Sequence, residues 1–429
     1  MVKITEAPQA AAWGAVTRVL FRFVFLYFTI WSVANQVLGG ILVTPWGYFP
    51  ALGRYQPLLG ITEGIGSLAF GVDVVFEPGN SGDTVFYWVQ TAWILVVALV
   101  GTLAWSTASR RVEYATLHKW FRLFIRFALA SQMFFFGMAK VIPTQFVPPA
   151  LTSLVTPLGN FPLSNLLWLF IGASTPYQVA TGVAEMAAGI FLVFPKTTPL
   201  GAAIALFDML QVLLLNSFYD FGLKMISLHY VLMALILLAP DARRLANVLV
   251  FDRPAPASPV PPLFASDGAN RIAVVVQAAF AVYLICIFAW VNVRQYTAAD
   301  GPAHPRSALY GIWDIQRLTI NGFVTNPELN DYDFRWRRAI FDFPDRMAFQ
   351  RTDDSLARYD TQIDAQQRTV LLRKGRTGLS AFSYEQPDAD TLVLDGSMGE
   401  YAVRLEMTRV GLDTFRLVNS PFRWVRPPD

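Results

Sequence analysis

Cysteine is nearly absent from this chain. Among its 429 residues the single cysteine is Cys286, which lies within an apolar run. One cysteine excludes an internal disulfide and a Cys-x-x-Cys redox pair. We therefore expect no thiol chemistry inside the chain.

Charged residues and histidines are also scarce. Asp, Glu, Lys and Arg make up 15% of the sequence, the formal net charge is +3, and no Lys/Arg block stands alone. This composition excludes a polyanion-binding tail and predicts no nucleic-acid partner. Glu185, Asp208 and His229 have the side-chain types of metal ligands, but the sequence contains no Glu-x-x-His or His-x-x-x-His pair, so we predict no metal site.

Apolar residues, in contrast, are abundant. They form 54% of the chain and the mean hydropathy is +0.40, which is too apolar for one soluble globule and predicts a multi-pass protein of the lipid bilayer. Charged residues are thin in the apolar runs of the first 295 positions and crowd into the remainder. This change predicts two domains in two different solvents.

Seven apolar stretches are predicted to span a membrane as helices. They cover residues 18–38, 83–105, 120–142, 177–194, 199–215, 223–238 and 270–293. Residues 39–82, rich in Gly, Pro and aromatics, and the proline-rich residues 143–165 are predicted as external loops. Lys and Arg concentrate before the first stretch and in alternate connections, so the positive-inside rule predicts an inside amino terminus and an outside carboxyl terminus. We expect the membrane to be a bacterial-type cytoplasmic membrane.

After Arg294 the hydrophobic period changes from that of a helix to that of strands. Short alternating runs separated by Gly, Asp, Asn and Pro occur at residues 310–320, 339–343, 369–373, 391–395, 401–407 and 414–418. Six to eight such strands predict a small antiparallel barrel or sandwich on the extracytoplasmic side, with Trp313, Trp336 and Trp424 in its core. Gly311-Ile312-Trp313 on the first strand resembles the lipocalin Gly-x-Trp motif.

Two helical stretches resemble the DoxX family of integral membrane proteins. Residues 126–140 begin with Arg126 and end in Gly137-Met138-Ala139-Lys140, like the first DoxX helix, and residues 182–189 resemble the second. The resemblance covers about 118–250, and the order Asn216, Tyr219-Asp220, Lys224, His229, followed by Ala239-Pro240-Asp241, is similar to DoxX-like proteins with an external β-domain.

The resemblance implies a four-helix membrane core and redox chemistry. DoxX relatives include subunits of a thiosulfate:quinone oxidoreductase and proteins of oxidative-stress redox, so a quinone is the implied lipophilic substrate. The wider superfamily also implies a carboxylase-like alternative. This chain departs from the redox members in its extra spans and in lacking a partner subunit in the same chain.

Together these observations predict four regions. They are a two-span region with an external loop at 1–117, a DoxX-like core at 118–250, a Pro-rich cytoplasmic linker and seventh helix at 251–295, and an extracytoplasmic β-domain at 296–429.

Ionisable residues inside the spans are the candidate site, because such groups are costly in hydrocarbon. The candidate catalytic residues are Lys140, Glu185, Asp208 and His229. The candidate substrate-binding residues are Arg126, Asn216, Tyr219, Asp220 and Lys224. Lys140, Asp220, Lys224 and His229 are expected to converge on one external cavity. Glu185 lies between Gly182 and Gly189, so its face is predicted to approach another helix closely, where the carboxyl must find a donor or stay protonated.

Each of these residues also has a structural interpretation. Glu185 and Asp208 can brace helices, Arg126 can reach the interface or pair with Glu185, and His229 can be a satisfied core histidine. The sequence predicts redox or proton-coupled chemistry on a lipophilic substrate such as a quinone. The alternative is a membrane-anchored scaffold whose β-domain captures an external lipid or protein, and a lipid or solute transporter is a third reading, which lacks the inverted repeat expected of it.

Overall fold

The computed structural model describes residues 13–35, 43–44, 47–48, 51–77, 82–255, 261–298, 301–325, 335–375, 378–419 and 424–425. The chain divides into two compact units. The helical unit comprises Met1–Ile142 and Val179–Asn292, and the β unit comprises Pro143–Gln178 and Val293–Asp429. Residues 143–178 therefore group with the strands although they lie inside the predicted 118–250 region.

Helices dominate the chain as far as residue 296. In order they are α1 Ala15–Ala34, α2 Leu58–Phe70, α3 Val85–Ala108, α4 Ala115–Val141, α5 Leu151–Val155, α6 Leu163–Gly172, α7 Thr175–Val193, α8 Thr198–Phe218, α9 Lys224–Leu238, α10 Ala242–Leu249 and α11 Asp267–Tyr296. Within the described residues, six helical stretches are long and apolar enough to cross a membrane, namely α1, α3, α4, α8, α9 continued through α10, and α11. The one predicted span outside that set is the fourth, 177–194, which corresponds to the 19-residue helix α7.

Helix α4 is the centre of the helical unit. In its most apolar window 72% of the residues are buried, a larger share than in any of the other five stretches. Its apolar side chains pack in one core with those of α1, α3, α7, α8, α9 and α11. The predicted loop at 39–82 is wrong in part, because its second half forms α2, whose apolar residues pack near α3.

The β unit is built on a closed antiparallel barrel. Its strands are β3 Gly311–Ile320, β4 Phe323–Val324, β5 Trp336–Phe343, β6 Arg346–Arg351, β7 Leu356–Asp364, β8 Thr369–Lys374, β9 Gly378–Glu385, β10 Thr391–Met398 and β11 Tyr401–Val410, after a two-stranded hairpin of β1 Val43–Thr44 and β2 Gly47–Tyr48 in the helical unit. Each long barrel strand pairs with its neighbour, and β11 closes on β3, with Val403 opposite Ile320 and Val410 opposite Ile312. Closure removes the exposed edges that would pair with other chains. The predicted fold class, a helical membrane bundle with a small antiparallel β-barrel, is confirmed.

Side chains fill the interior of the barrel. Trp313 and Trp336 are buried there with Phe341, Phe349 and Phe382, as predicted for the two tryptophans. The prediction for Trp424 is wrong, because this residue follows the last strand and is 92% exposed. The strand predicted at 414–418 is also wrong, since Leu412–Thr414 forms a 3-10 turn there.

Helix α5 covers part of the barrel's outer face. Leu151 and Val155 pack with Ile312 and Ile340, two outward-facing strand residues. Asp342 accepts a 2.8 Å hydrogen bond from the Leu151 N–H at the start of the helix, and Gln350 Nε2 donates one of 2.9 Å to the Val155 carbonyl at its end. Side chains of the strands thus satisfy both ends of a five-residue helix that has too few turns to be stable alone.

Candidate functional site

Close contact between α4 and α7 creates the most deeply buried polar site. A Cβ placed on Gly137 would lie 3.0 Å from the Gly182 carbonyl oxygen, and a Cβ on Gly182 would lie 2.7 Å from the Gly137 carbonyl oxygen. Only glycine fits at both positions, so the two backbones touch. The predicted close approach of the Glu185 face is confirmed.

This contact brings Lys140 against Glu185. Lys140 follows Gly137 by three residues and Glu185 follows Gly182 by three, so each side chain lies almost one turn from the crossing. The Lys140 Nζ to Glu185 Oε1 distance is 2.5 Å, and the two residues are 7% and 1% exposed. The donor that Glu185 requires is therefore Lys140, not Arg126.

Asp208 of α8 joins the same cluster. A Cβ on Gly201 would lie 2.6 Å from the Leu192 backbone nitrogen, so α7 and α8 also pack closely. Asp208 lies seven residues after Gly201 and Glu185 seven before Leu192, which places the two carboxyls side by side on these helices. The Asp208 and Glu185 carboxyls are close enough to interact with each other.

Two carboxyls and one ammonium cannot all be satisfied without an additional proton. Glu185 Oε2 and Asp208 Oδ2 are buried, and neither receives a hydrogen bond from a donor among the described residues. A carboxylate only accepts, so a hydrogen bond between two carboxyls needs a proton on one of them. The Lys140–Glu185–Asp208 cluster is thus chemically suited to hold one exchangeable proton inside the bundle.

His229 lies in a different network. Its Nδ1 is 2.7 Å from the Met225 carbonyl oxygen and its Nε2 is 2.8 Å from the Tyr27 hydroxyl. Its ring is parallel to that of Trp31, with 3.8 Å between the centroids. Because the carbonyl can only accept, Nδ1 carries the hydrogen. In the neutral imidazole Nε2 then accepts from the Tyr27 hydroxyl, so both ring nitrogens are satisfied.

Arg126 holds the end of α7. Its Nε donates to the Leu192 carbonyl at 2.9 Å, and its Nη2 donates to the Val193 carbonyl and, at 2.7 Å, to Gln277 Oε1. These carbonyls belong to the last turn of α7, where a cation is favoured by the helix dipole. Arg126 therefore contacts α7 and α11, and the described contacts do not include Glu185.

The four remaining candidates lie at the α8–α9 turn. Lys224 pairs with Asp220 at 2.9 Å, which confirms the predicted i, i+4 pair, and the hydrogen bond and charge of the ammonium lower the pKa of the Asp220 carboxyl. Asn216 Nδ2 donates to the Leu223 carbonyl and to Ser227 Oγ, both at 3.3 Å. Tyr219 ends α8. Lys140, His229 and the Asp220–Lys224 pair thus have separate partners, and their convergence on one external cavity stays a prediction.

The prediction from the sequence did not include several residues of these networks. Asp83 accepts from the Lys224 and Met225 backbone N–H groups at 2.8 and 2.9 Å, which caps α9 from a segment 141 residues earlier. Gln132 accepts a 2.8 Å bond from the Tyr230 hydroxyl in the core. No local pattern marks Asp83 as a partner of α9. For Gln132 the available signal was an amide inside an apolar stretch.

No group of three or more His, Cys, Asp or Glu side chains with metal-binding geometry occurs in the part of the chain that the structure describes. The Lys140–Glu185–Asp208 cluster already contains one cation, the Lys140 ammonium, and its two carboxyls can share one proton.

Part of the chain is similar to a bacterial protein. No protein-family model matches the chain, and no solved structure matches it. A stretch of 130 residues, 30% of the chain, is 33% identical to the uncharacterized protein YwoB of Bacillus subtilis (strain 168) and covers 79% of that protein. With this identity over most of the relative's length, the chain belongs to the same protein family as YwoB.

Proposed function

We propose that this protein carries out proton-coupled chemistry on a lipophilic substrate of the quinone type. The supporting observation is the contact of two carboxyls, Glu185 and Asp208, around the single buried Lys140. A purely structural ion pair with Lys140 would need only one carboxyl. A second carboxyl places another ionisable group in a hydrocarbon-like environment, which costs free energy. We further propose, from the resemblance of residues 118–250, that the chain is DoxX-like.

Asp208 is the member of the cluster that a lipophilic substrate can reach. Its side chain is partly exposed, whereas Glu185 is buried. Phe207 and Leu210 beside it point outward, being 75% and 41% exposed, as expected of side chains that face lipid. A substrate dissolved in the bilayer would meet Asp208 first, with Glu185 and Lys140 behind it.

The chemistry assigned to the cluster is proton transfer. Reduction of a quinone to a quinol takes up two electrons and two protons. In this proposal Asp208 gives one proton to each of the two quinone oxygens in turn, and after each transfer it regains a proton from water through Glu185, whose negative charge Lys140 stabilises. A separate redox protein supplies the electrons. The proposal places the chain in a bacterial-type cytoplasmic membrane with its amino terminus inside and the β unit outside.

Ligand-dependent stability tests the proposal. A soluble ubiquinone analogue should raise the unfolding temperature of the purified protein, because a ligand at about 100 times its Kd stabilises the native state by about 2.7 kcal/mol. Asp208→Asn should remove most of the shift. Asp73→Asn is the matched control, since its carboxyl is exposed and outside the cluster, and it should keep the full shift. An absent shift in the parent, or equal shifts in both variants, contradicts the proposal.

A binding role of the β unit is the second candidate function. It is favoured by a cavity of about 360 Å³ on this unit, lined by Arg346, Arg358 and Arg373 with Asp342 and Asp360. Three guanidinium groups suit an external protein or lipid with an acidic group. A labelled acidic peptide should bind the full chain and lose affinity with Arg358→Gln, while unchanged affinity would remove this candidate.

A further inference from the structure

A cavity of about 150 Å³ lies at one end of the helical bundle, in the helical unit. Helix α4 contributes Lys119, Arg122 and Arg126, the connection from α7 to α8 contributes Pro195 and Thr198, and α11 contributes residues of its first half. We call it the basic cavity. Because Lys119, Arg122 and Arg126 are spaced at i, i+3 and i+7, they share one face of α4.

The charge of the basic cavity is one-sided. No aspartate or glutamate is among its lining residues as far as the structure describes them. Arg122 has a partner, Asp241, at 3.4 Å, and Lys119 donates to the Pro262 carbonyl at 2.9 Å. An anion in the cavity would meet three cationic side chains of which one is paired with a carboxylate.

Arg126 is the buried cation of the basic cavity. It is 6% exposed, and its hydrogen-bond acceptors, two backbone carbonyls and one amide oxygen, are all uncharged. Among the described residues no carboxylate lies within ion-pair distance, and Nη1 has no acceptor. The dipole of α7 offsets part of the charge. A buried guanidinium without a counter-ion is costly, which indicates that the anion comes from outside the chain.

Size and position narrow the class of anion. Pockets for drug-sized ligands start at about 300 Å³, so a cavity half that size fits a compact group such as a phosphate. Trp120 and Phe264 are the sequence neighbours of the lining residues Lys119 and Leu263. Their rings are in edge-to-face contact, with 5.7 Å between the centroids, and both side chains are partly exposed. Aromatic residues settle at the level of lipid headgroups, where phosphates are present.

We propose that the basic cavity binds a phosphate group, supplied by the headgroup of an anionic phospholipid. Arg126 and Arg122 would hold the phosphate oxygens, Lys119 would contribute charge at the entrance, and the acyl chains would lie along α4 and α11. Basic pockets between membrane helices bind such headgroups in this way. This site does not depend on the Lys140–Glu185–Asp208 cluster.

The test uses the full chain in nanodiscs of phosphatidylcholine, with and without phosphatidylglycerol, and inorganic phosphate as a separate arm. Phosphatidylglycerol should raise the unfolding temperature and remain bound in native mass spectrometry. Lys119→Gln should weaken that binding about fivefold, the effect of one cation near a lipid surface. Arg110→Gln is the matched control, an exposed basic residue outside the cavity, and it should bind as the parent does.

Arg126→Gln removes the central cation but also a cap of α7, so it can fail to fold. Ala273→Leu fills the basic cavity without changing charge and should displace the lipid while the protein stays folded. Stabilisation by phosphate alone would assign the site to a free anion and keep the phosphate chemistry. If neither probe binds, or if Lys119→Gln and Arg110→Gln weaken binding equally, the proposal is overturned.

Discussion

The two units place their charges in opposite ways. In the helical unit Lys140 and Glu185 are buried while Phe207 and Leu210 face outward. In the β unit Trp313 and its neighbours fill the core, and ion pairs lie on the surface, as with Arg404 and Asp395 at 46% and 55% exposure. Each unit has the distribution of polar and apolar side chains that suits its own solvent. The contribution of an ion pair to stability therefore differs between the two units. Removing one partner of a buried pair costs about 3–5 kcal/mol, whereas an exposed pair contributes about 0–1 kcal/mol.

The largest expected effect concerns which solvent each unit faces, and it is all or none. In a Cys286→Ser background, a cysteine at Ser397 of β10 should react with a membrane-impermeant maleimide in intact cells, because the β unit is predicted outside. A cysteine at Ser109, after α3, should react only after the cells are opened. The reverse labelling would contradict the predicted orientation.

Lys140→Met should produce the largest loss of stability. It leaves Glu185 buried with no cation, at a cost of about 3–5 kcal/mol. Adding Glu185→Gln should recover part of the loss, since the stranded charge is then gone. Chemical unfolding in detergent measures both variants.

The control for Lys140→Met is Lys224→Met. The Lys224 side chain is 33% exposed and its closer partner, Asp220, is nearly fully exposed. Its second partner, Asp83, is 3.9 Å away and keeps two backbone N–H donors in the variant, so the loss should stay well below that of Lys140→Met. Equal losses from the two lysine variants would mean that the Lys140 pair is solvated like a surface pair.

His229→Ala should give the next largest effect, a loss of about 1–3 kcal/mol. The Tyr27 hydroxyl would lose its acceptor in a buried site, which carries a cost of that size. The measurement is the unfolding free energy of His229→Ala beside that of His229→Gln, which keeps a polar side chain and should lose less. An unchanged stability would contradict a structural role and favour the predicted catalytic role of His229.

Local features were readable from the sequence, and distant partners were not. The small residues around Glu185 predicted its close contact, because Gly182 and Gly189 belong to the same helix face. The partner Lys140 is 45 residues away and Asp83 lies 141 residues from the helix it caps, so no local pattern could identify either contact. His229 was predicted near Asp220 and Lys224, but its hydrogen bond goes to Tyr27 of α1, 202 residues earlier.

The barrel shows the same limit for strands. Five of the six predicted runs fall in strands, while the barrel strands β4, β6, β7 and β9 were missed. In β6 the four residues from Met347 to Gln350 are all buried, so alternation disappears, because the outer face of the strand is covered as well. In β7 and β9 some inward positions are Ala357, Thr361 and Ser380, which do not read as an apolar face.

The attachment of α5 to the barrel should contribute less to the free energy of unfolding than the buried Lys140–Glu185 pair of the helical unit does. Asp342→Ala removes the acceptor of the Leu151 N–H, and loss of such a cap costs about 1 kcal/mol. Asp342→Asn retains an acceptor oxygen and should cost less. Thermal unfolding of the full chain, followed in the β-sheet signal, separates the two.

The pH dependence of Asp342 provides the smallest and most specific effect. Burial is the main cause that raises the pKa of this carboxyl above its ordinary value of 3.8, and the Leu151 N–H lowers it in part. Because the folded state then holds its proton more tightly than the unfolded state, this group stabilises the fold most below pH 3.8. That contribution declines as the pH rises from 3.8 to the raised pKa. Asp342→Asn cannot titrate, so the difference in unfolding free energy between parent and variant should shift in favour of the variant across that window and be constant above it.

The control is the exposed Asp388, whose pKa is lowered by the Asp390 N–H. The same difference measured for Asp388→Asn should have the opposite slope against pH. Identical slopes in the two variants would show that burial in the β unit does not control the pKa of Asp342.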